Sequence, residues 1–260
     1  SSSSKKKVKK DLKKIIFKRK NFLKNINFLE PSIMGILNLT PDSFSDGGNF
    51  NKTILAKKQI NKLIKDGANI IDVGGESSRP GSKEVNQIKE WNRIKGCMKY
   101  LKTKKFFVSL DSRKSFVMKK ALDYKLDLVN DVSGLHYDSN TIDFLKKTKL
   151  PFVLHHMKGT PKTMQVNPNY KNVLLDIYDY FEDKLNQIRK QGIKHNNIIL
   201  DPGIGFGKNL KHNLEILGGL GKLNNMAGGV LLGASRKSFI GFLTGANDSD
   251  RLTGSLASAM

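Results

Sequence analysis

At 260 residues the chain is long enough for one large domain, and 38% hydrophobic residues with 7 prolines suit a globular protein, not a disordered one. No run approaches the roughly 20 apolar residues of a membrane helix. The Lys-rich N-terminus lacks the apolar stretch of a secretory signal, and the single Cys97 leaves no internal disulfide, so a cytoplasmic location is expected. The formal charge of +23 invites a nucleic-acid reading, but residues 1–28 alone hold eleven basic residues against Asp11. No basic stripe interleaved with aromatics follows, so no specific nucleic-acid partner is expected.

Residues 1–28 read as a flexible basic extension, opening with the low-complexity Ser1–Ser4, and 29–260 as one domain. From about residue 31, short apolar runs recur at Ile33–Leu37, Asn69–Val73, Phe106–Leu110, Asp127–Val129, Phe152–Leu154, Asn197–Leu200 and Val230–Leu232. Helical periods lie between them. Ala56, Ile60, Leu63 and Ile64 share a face closed by Gly67; Leu174, Ile177, Tyr178, Phe181, Leu185 and Ile188 share another before Gly192. Strand–helix alternation predicts an α/β fold with a parallel sheet. Nearly every run ends in a polar group: Asn38, Asp72 with Glu76, Asp111, Asn130, His156, Asp201, and Ser235 with Lys237. A barrel brings such ends to one face, whereas an open sheet uses one switch point, which favours a (β/α)8 TIM barrel. Seven strands are visible; the eighth is missing from the sequence, so the domain reads as C-terminally incomplete, and weak stability and much reduced turnover are expected if these residues are the whole polypeptide.

The loops carry the chemistry. Asn38 to Gly48 is rich in hydroxyls and punctuated by Pro41 and Gly47-Gly48, as a closing loop would be. In Gly74 to Gly81, paired glycines allow close backbone approach and Arg79 suits an anion. Asp111 and Asp201, with Asn130 between them, could accept parallel N–H bonds from an amino-pyrimidinone edge, although Asp111 could equally cap the following helix. Asp201 to Lys208 has a Gly-x-Gly-x-Gly rhythm but is not a P-loop. Ser235-Arg236-Lys237 sits before a helix, where anions are favoured and where a solvated helix end is equally possible. Of His155 and His156, at most one can face the barrel mouth.

Together these blocks give the chain a resemblance to the dihydropteroate synthases. Ile33 to Gly48 resembles the first signature of that family and Asp66 to Gly81 the second. Asn130 to Gly134, His156 to Pro161, Asp201 to Lys208 and Ser235 to Gly241 match later blocks in order, so the likeness covers about 31–260.

The resemblance implies a pterin-binding barrel acting as a transferase in folate biosynthesis. It would join 6-hydroxymethyl-7,8-dihydropterin diphosphate to p-aminobenzoate, giving 7,8-dihydropteroate and pyrophosphate. It also implies that Asp111, Asn130, Asp201 and Lys237 hold the pterin while Met157 lines its slot. Asn38 would help bind Mg2+ and the diphosphate, with Arg236 beside it in the anion-favouring block. Ser78, Arg79 and Pro80, with Phe206 and Ser235, would form the p-aminobenzoate pocket, the family's sulfonamide target. A homodimer is implied. Ser78 stands where the family usually has Thr, a mild departure that keeps the hydroxyl. The alternatives are a pterin-dependent methyltransferase of the same fold and a pterin-binding fragment without turnover.

Overall fold

The computed structural model describes residues 22–23, 26–27, 30–40, 49–78, 81–159 and 163–260. Phe22–Leu23 and Ile26–Asn27 pair antiparallel ahead of the main body. The sheet then runs in strict chain order: β1 (Met34–Asn38), β2 (Ile70–Gly74), β3 (Phe107–Asp111), β4 (Leu128–Asp131), β5 (Phe152–His155), β6 (Ile198–Asp201) and β7 (Gly229–Val230). Every neighbouring pair is parallel. Helices α1 (Asn49–Lys65), α2 (Gln87–Lys102), α3 (Ser115–Leu122), α4 (Asn140–Thr148), α5 (Val173–Lys190) and α6 (Leu210–Gly219) join them. α7 (Ser238–Thr244) and α8 (Leu252–Ala259) follow β7. This is the (β/α) barrel architecture, with seven strands among the described residues.

Local chemistry sets the helix boundaries. Gly67 and Gly192 take left-handed φ of 98° and 89° after α1 and α5, as the sequence predicts. At the other ends, Asn86 accepts from the Ile88 N–H and Asn172 from the Leu175 N–H. Asn209 and His212 form a reciprocal capping box on α6. The inner faces of the helices bury Ala56, Ile60, Ile94, Met98, Phe181 and Leu185 against the outer face of the sheet, in one large core. Each of the larger side chains contributes about 1.5–3 kcal/mol there. Tyr178, which the period placed on the buried stripe of α5, is at its exposed margin instead.

The inner face of the sheet differs. Register and the period of two put Met34, Phe107, Leu128, Val153 and Ile199 on it, a small apolar plug. Nearer the C-terminal strand ends the same face carries Asp72, Ser109, Asp111, Asn130, His155 and Asp201.

A charged cluster is buried beside this end of the barrel. Lys114 Nζ lies 2.6 Å from Glu76 Oε2 and 2.7 Å from Glu90 Oε2, and Glu90 is fully buried on α2. The Ser112 hydroxyl donates to the other Glu90 oxygen at 2.6 Å. Glu76 also accepts from Arg113 and, at 2.8 Å, from the Val85 N–H. One carboxylate thus ties together both roots of the loop after β2.

Candidate functional site

Asn38, Gly74, Asp111 and Asn130 occupy one register row across four adjacent strands. Gly74 is needed in that row for steric reasons. A Cβ there would meet Asn38 Oδ1 at 3.0 Å and Asp111 Cβ at 3.3 Å. Asp111 is the last residue of β3, and α3 begins at Ser115 with Lys114 at its N-cap, so Asp111 does not cap that helix. Deeper in, Asn130 Nδ2 donates to Asp72 Oδ2 at 3.1 Å. The buried Asn130 Oδ1 has no hydrogen-bond partner among the described residues and remains an acceptor for a ligand N–H.

The electrostatics fit such a ligand. Burial first, then the neighbouring charges of Asp72, Glu90, Asp131 and Glu76, hold the Asp111 carboxyl well above the usual range. Burial likewise raises Asp72. Asp131 is pushed up to about 6 by burial, against hydrogen bonds from Ser133 and Leu135. It lies on the opposite face of β4 from Asn130, so Asp72 and Asp111 are the carboxyls that look inward on this side of the mouth. A ligand presenting several N–H donors would relieve this crowding of acids.

The other side of the mouth is built on β5, β6 and the segment after β7. His155, paired in register with Asp201, brings Nε2 to 4.0 Å from Asp201 Oδ2. Burial is the first cause that lowers this imidazole, to about 4. His155 is therefore the inward histidine, while His156 points toward Lys208 on the other side of the strand end. The Gly-rich loop follows Asp201, whose Oδ1 accepts from the Gly203 N–H at 2.7 Å. Gly203, Gly205 and Gly207 all have left-handed φ. At Gly203 a Cβ would stand 2.1 Å from the His156 carbonyl oxygen.

Phe206 packs edge-on to His155, with ring centroids 4.6 Å apart, and Lys237 Nζ lies 4.2 Å from the centre of its ring. Lys237 Nζ also donates to the Ile204 carbonyl at 2.9 Å. Lys237 thus turns inward and is not a solvated helix end, whereas Ser235 and Arg236 are exposed. Burial lowers the Lys237 ammonium, partly offset by Asp201. Met157 and Ser78 are half-buried. Arg79, Pro80 and the first loop from Pro41 to Gly48 lie outside the described residues.

Sequence reasoning did not count Asp72 or His155 among the site residues. The signal for both was parity: Asp72 is two residues before Gly74, and His155 two after the inward Val153, so each shares its strand's inner face.

A parallel barrel with polar strand ends gathered around an acidic, acceptor-rich mouth is the frame of a heterocycle-binding enzyme. Residues 34–260 match the family described as pterin binding enzyme, and the chain belongs to it. Within that family its relatives are dihydropteroate synthases, which are transferases. The Haemophilus influenzae enzyme of that name is 40% identical over 231 residues, covering 88% of this chain and 84% of the relative. That of Escherichia coli is 40% identical over 237 residues, covering 91% and 84%. Among solved structures, the Yersinia pestis dihydropteroate synthase with a sulfonamide drug superposes with a TM-score of 0.84 at 37% identity, covering 92% of this chain and 87% of that one. The Xanthomonas albilineans dihydropteroate synthase in complex with 7,8-dihydropteroate gives 0.78 at 31% identity, covering 88% and 82%.

Proposed function

We propose that the chain joins 6-hydroxymethyl-7,8-dihydropterin diphosphate to p-aminobenzoate, releasing pyrophosphate. The observation that carries this reading is the inward row of half-buried Asp111 and buried Asn130 with buried Asp201 across the mouth, acceptors matched to the amino-pyrimidinone edge of a pterin. Asp111, Asn130 and Asp201 hold the ring, Asp72 orients Asn130, and Lys237 and Met157 flank the ring. Asn38 and Arg236 face the diphosphate. Ser78, Arg79, Pro80, Phe206 and Ser235 form the arylamine pocket.

The C–O bond between the pterin methylene and the diphosphate breaks, and pyrophosphate leaves with the bonding pair. The amine nitrogen supplies its lone pair to that carbon and loses one proton. An aniline nitrogen is already nucleophilic, so the site needs no strong base. Its work is to orient the two reactants and to exclude water from the electron-poor carbon.

A divalent cation fits on limited terms. Among the described residues no three acidic, His or Cys side chains cluster to hold a metal, but Asn38 presents a neutral oxygen at the mouth. Mg2+ characteristically takes one or two protein ligands beside substrate phosphates and water. When bound, it would neutralise charge on the departing pyrophosphate. Phe242, Leu243, Leu252 and Leu256, exposed on α7 and α8, support a homodimer through that face, which sedimentation would test.

The deciding assay is pyrophosphate release from the pterin diphosphate with Mg2+, with and without p-aminobenzoate, for the chain and for Asp111→Asn. Release that depends on p-aminobenzoate and collapses in the variant is expected. Pterin binding without release would leave a non-catalytic binding protein, and methyl transfer from a reduced folate would move the chain to a different activity.

A further inference from the structure

The Gly-rich loop between β6 and α6 is held in an unusual way. Each carbonyl from Gly203 to Gly207 has a donor: the Phe206 N–H for Gly203, Lys237 Nζ for Ile204, Gln165 Nε2 for Gly205, Lys208 Nζ for Phe206 and the Tyr170 hydroxyl for Gly207. The Gly205 N–H donates in turn to Asn213 Oδ1 at 2.8 Å. Lys208 stands out among these donors because it is only 3% exposed and forms no ion pair among the described residues. Its ammonium faces three acceptors: the Phe206 carbonyl at 2.8 Å, His156 Nδ1 at 3.0 Å and the His156 carbonyl at 3.5 Å. The His156 ring is neutral, pulled down to about 2 by burial and by Lys208, so Nδ1 accepts and the remaining proton is assigned to Nε2.

A buried ammonium with no carboxylate partner is a poor source of stability. The Lys208 Nζ does connect two parts of the site, the end of β5 at His156 and the main chain of Phe206.

We propose that Lys208 is a positioning residue: by tying the Phe206 carbonyl to the end of β5, it fixes the Phe206 ring as a wall of the arylamine pocket. This rests on the reading of Phe206 as part of that pocket. Ile204 is buried and anchors one side of the loop, and the flanking Gly205 and Gly207 have the widest choice of backbone conformation beside Phe206. Lys208 adds the hold at the Phe206 carbonyl itself, while Lys237 and His155 flank the ring. The titratable groups that interact with the Lys208 ammonium are His155 from β5 and His156 just after it, Asp201 from β6, Lys237 from the segment after β7, and His212 from α6. Burial pulls Lys208 down to about 7, with Asp201 opposing and Lys237 adding to the shift. The clamp should therefore weaken above neutral pH, when one of its three protons is lost.

The test compares the full chain, Lys208→Met, Phe206→Ala and the double variant by steady-state kinetics at saturating pterin diphosphate, with pterin diphosphate binding measured alongside. Lys208→Met should raise KM for p-aminobenzoate about tenfold, the worth of one lost hydrogen bond, with pterin binding within about threefold. The double variant should be no worse than Phe206→Ala. In the unmodified chain, KM for p-aminobenzoate should rise from about pH 6 to 8 and stay flat over that range in Phe206→Ala, a comparison that holds even where Lys208→Met does not fold. An unchanged KM in Lys208→Met, a parallel loss of pterin binding, additive effects in the double variant, or the same pH slope in Phe206→Ala would each overturn the assignment. Absence of p-aminobenzoate-dependent release in the unmodified chain would instead remove the synthase reading on which it rests.

Discussion

Replacing Lys114 by Met would strand a charge in the protein interior. Lys114 Nζ bonds both Glu76 and Glu90, but the two carboxylates lose unequally when it goes. Glu76 keeps Arg113 and the Val85 N–H and retains some contact with water. Glu90 is fully buried and, among the described residues, keeps only the Ser112 hydroxyl as a side-chain partner. Breaking a buried pair from one side costs about 3–5 kcal/mol. A net loss of that size is a large share of the stability of a domain of this length. Urea unfolding of Lys114→Met against the unmodified chain, followed by circular dichroism at pH 7.5 and 5.5, measures it. Lys114→Met/Glu90→Gln, which leaves no carboxylate to strand, should recover most of the loss. A change under about 1 kcal/mol at both pH values would show that the cluster does not hold the root of the second loop.

Gly203→Ala should cost several kcal/mol or prevent soluble accumulation, since it combines a φ of 70° with a Cβ 2.1 Å from the His156 oxygen; thermal unfolding and expression yield check this. Asp111→Asn should abolish pterin-diphosphate binding by calorimetry without lowering the melting temperature, because a buried carboxyl raised well above its usual range is a poor stabiliser when ionised. For Lys208 the linkage runs opposite to that of a paired lysine. Between about 7 and the ordinary lysine value the unfolded chain binds more protons than the folded one, so stability rises with pH in that window. The unmodified chain should therefore gain on Lys208→Met by about 1 kcal/mol per pH unit from pH 7 to 9 in urea titrations, and parallel curves would contradict the burial of a titrating ammonium.

The strands were legible because a parallel sheet covered by helices needs near-continuous apolar runs. The observed Ile70–Gly74 and Phe107–Asp111 each lie one residue beyond the predicted runs, and β7 is shorter than Val230–Leu232 and starts one residue earlier. The acceptors were legible too, since Asp111, Asn130 and Asp201 each close a run. What the sequence hid was the fate of its charges. In a chain with 46 basic residues, Lys114 and Lys208 look like the many lysines on solvated helix faces. Only the packing of α2 against α3, and of the Gly-rich loop beside the end of β5, puts them out of water. His155 and His156 were ambiguous for a related reason: the register that sends one inward is fixed by the neighbouring strands, not by the dipeptide.

The way the Gly-rich loop is held leaves one position free to evolve. Its outside partners grip main-chain atoms, which every amino acid possesses, and none of those grips depends on what side chain stands at 206. Selection for discrimination between competing arylamines can therefore exchange Phe206 for a residue of different bulk while the path of the chain, and the acidic mouth beside it, stay where they are.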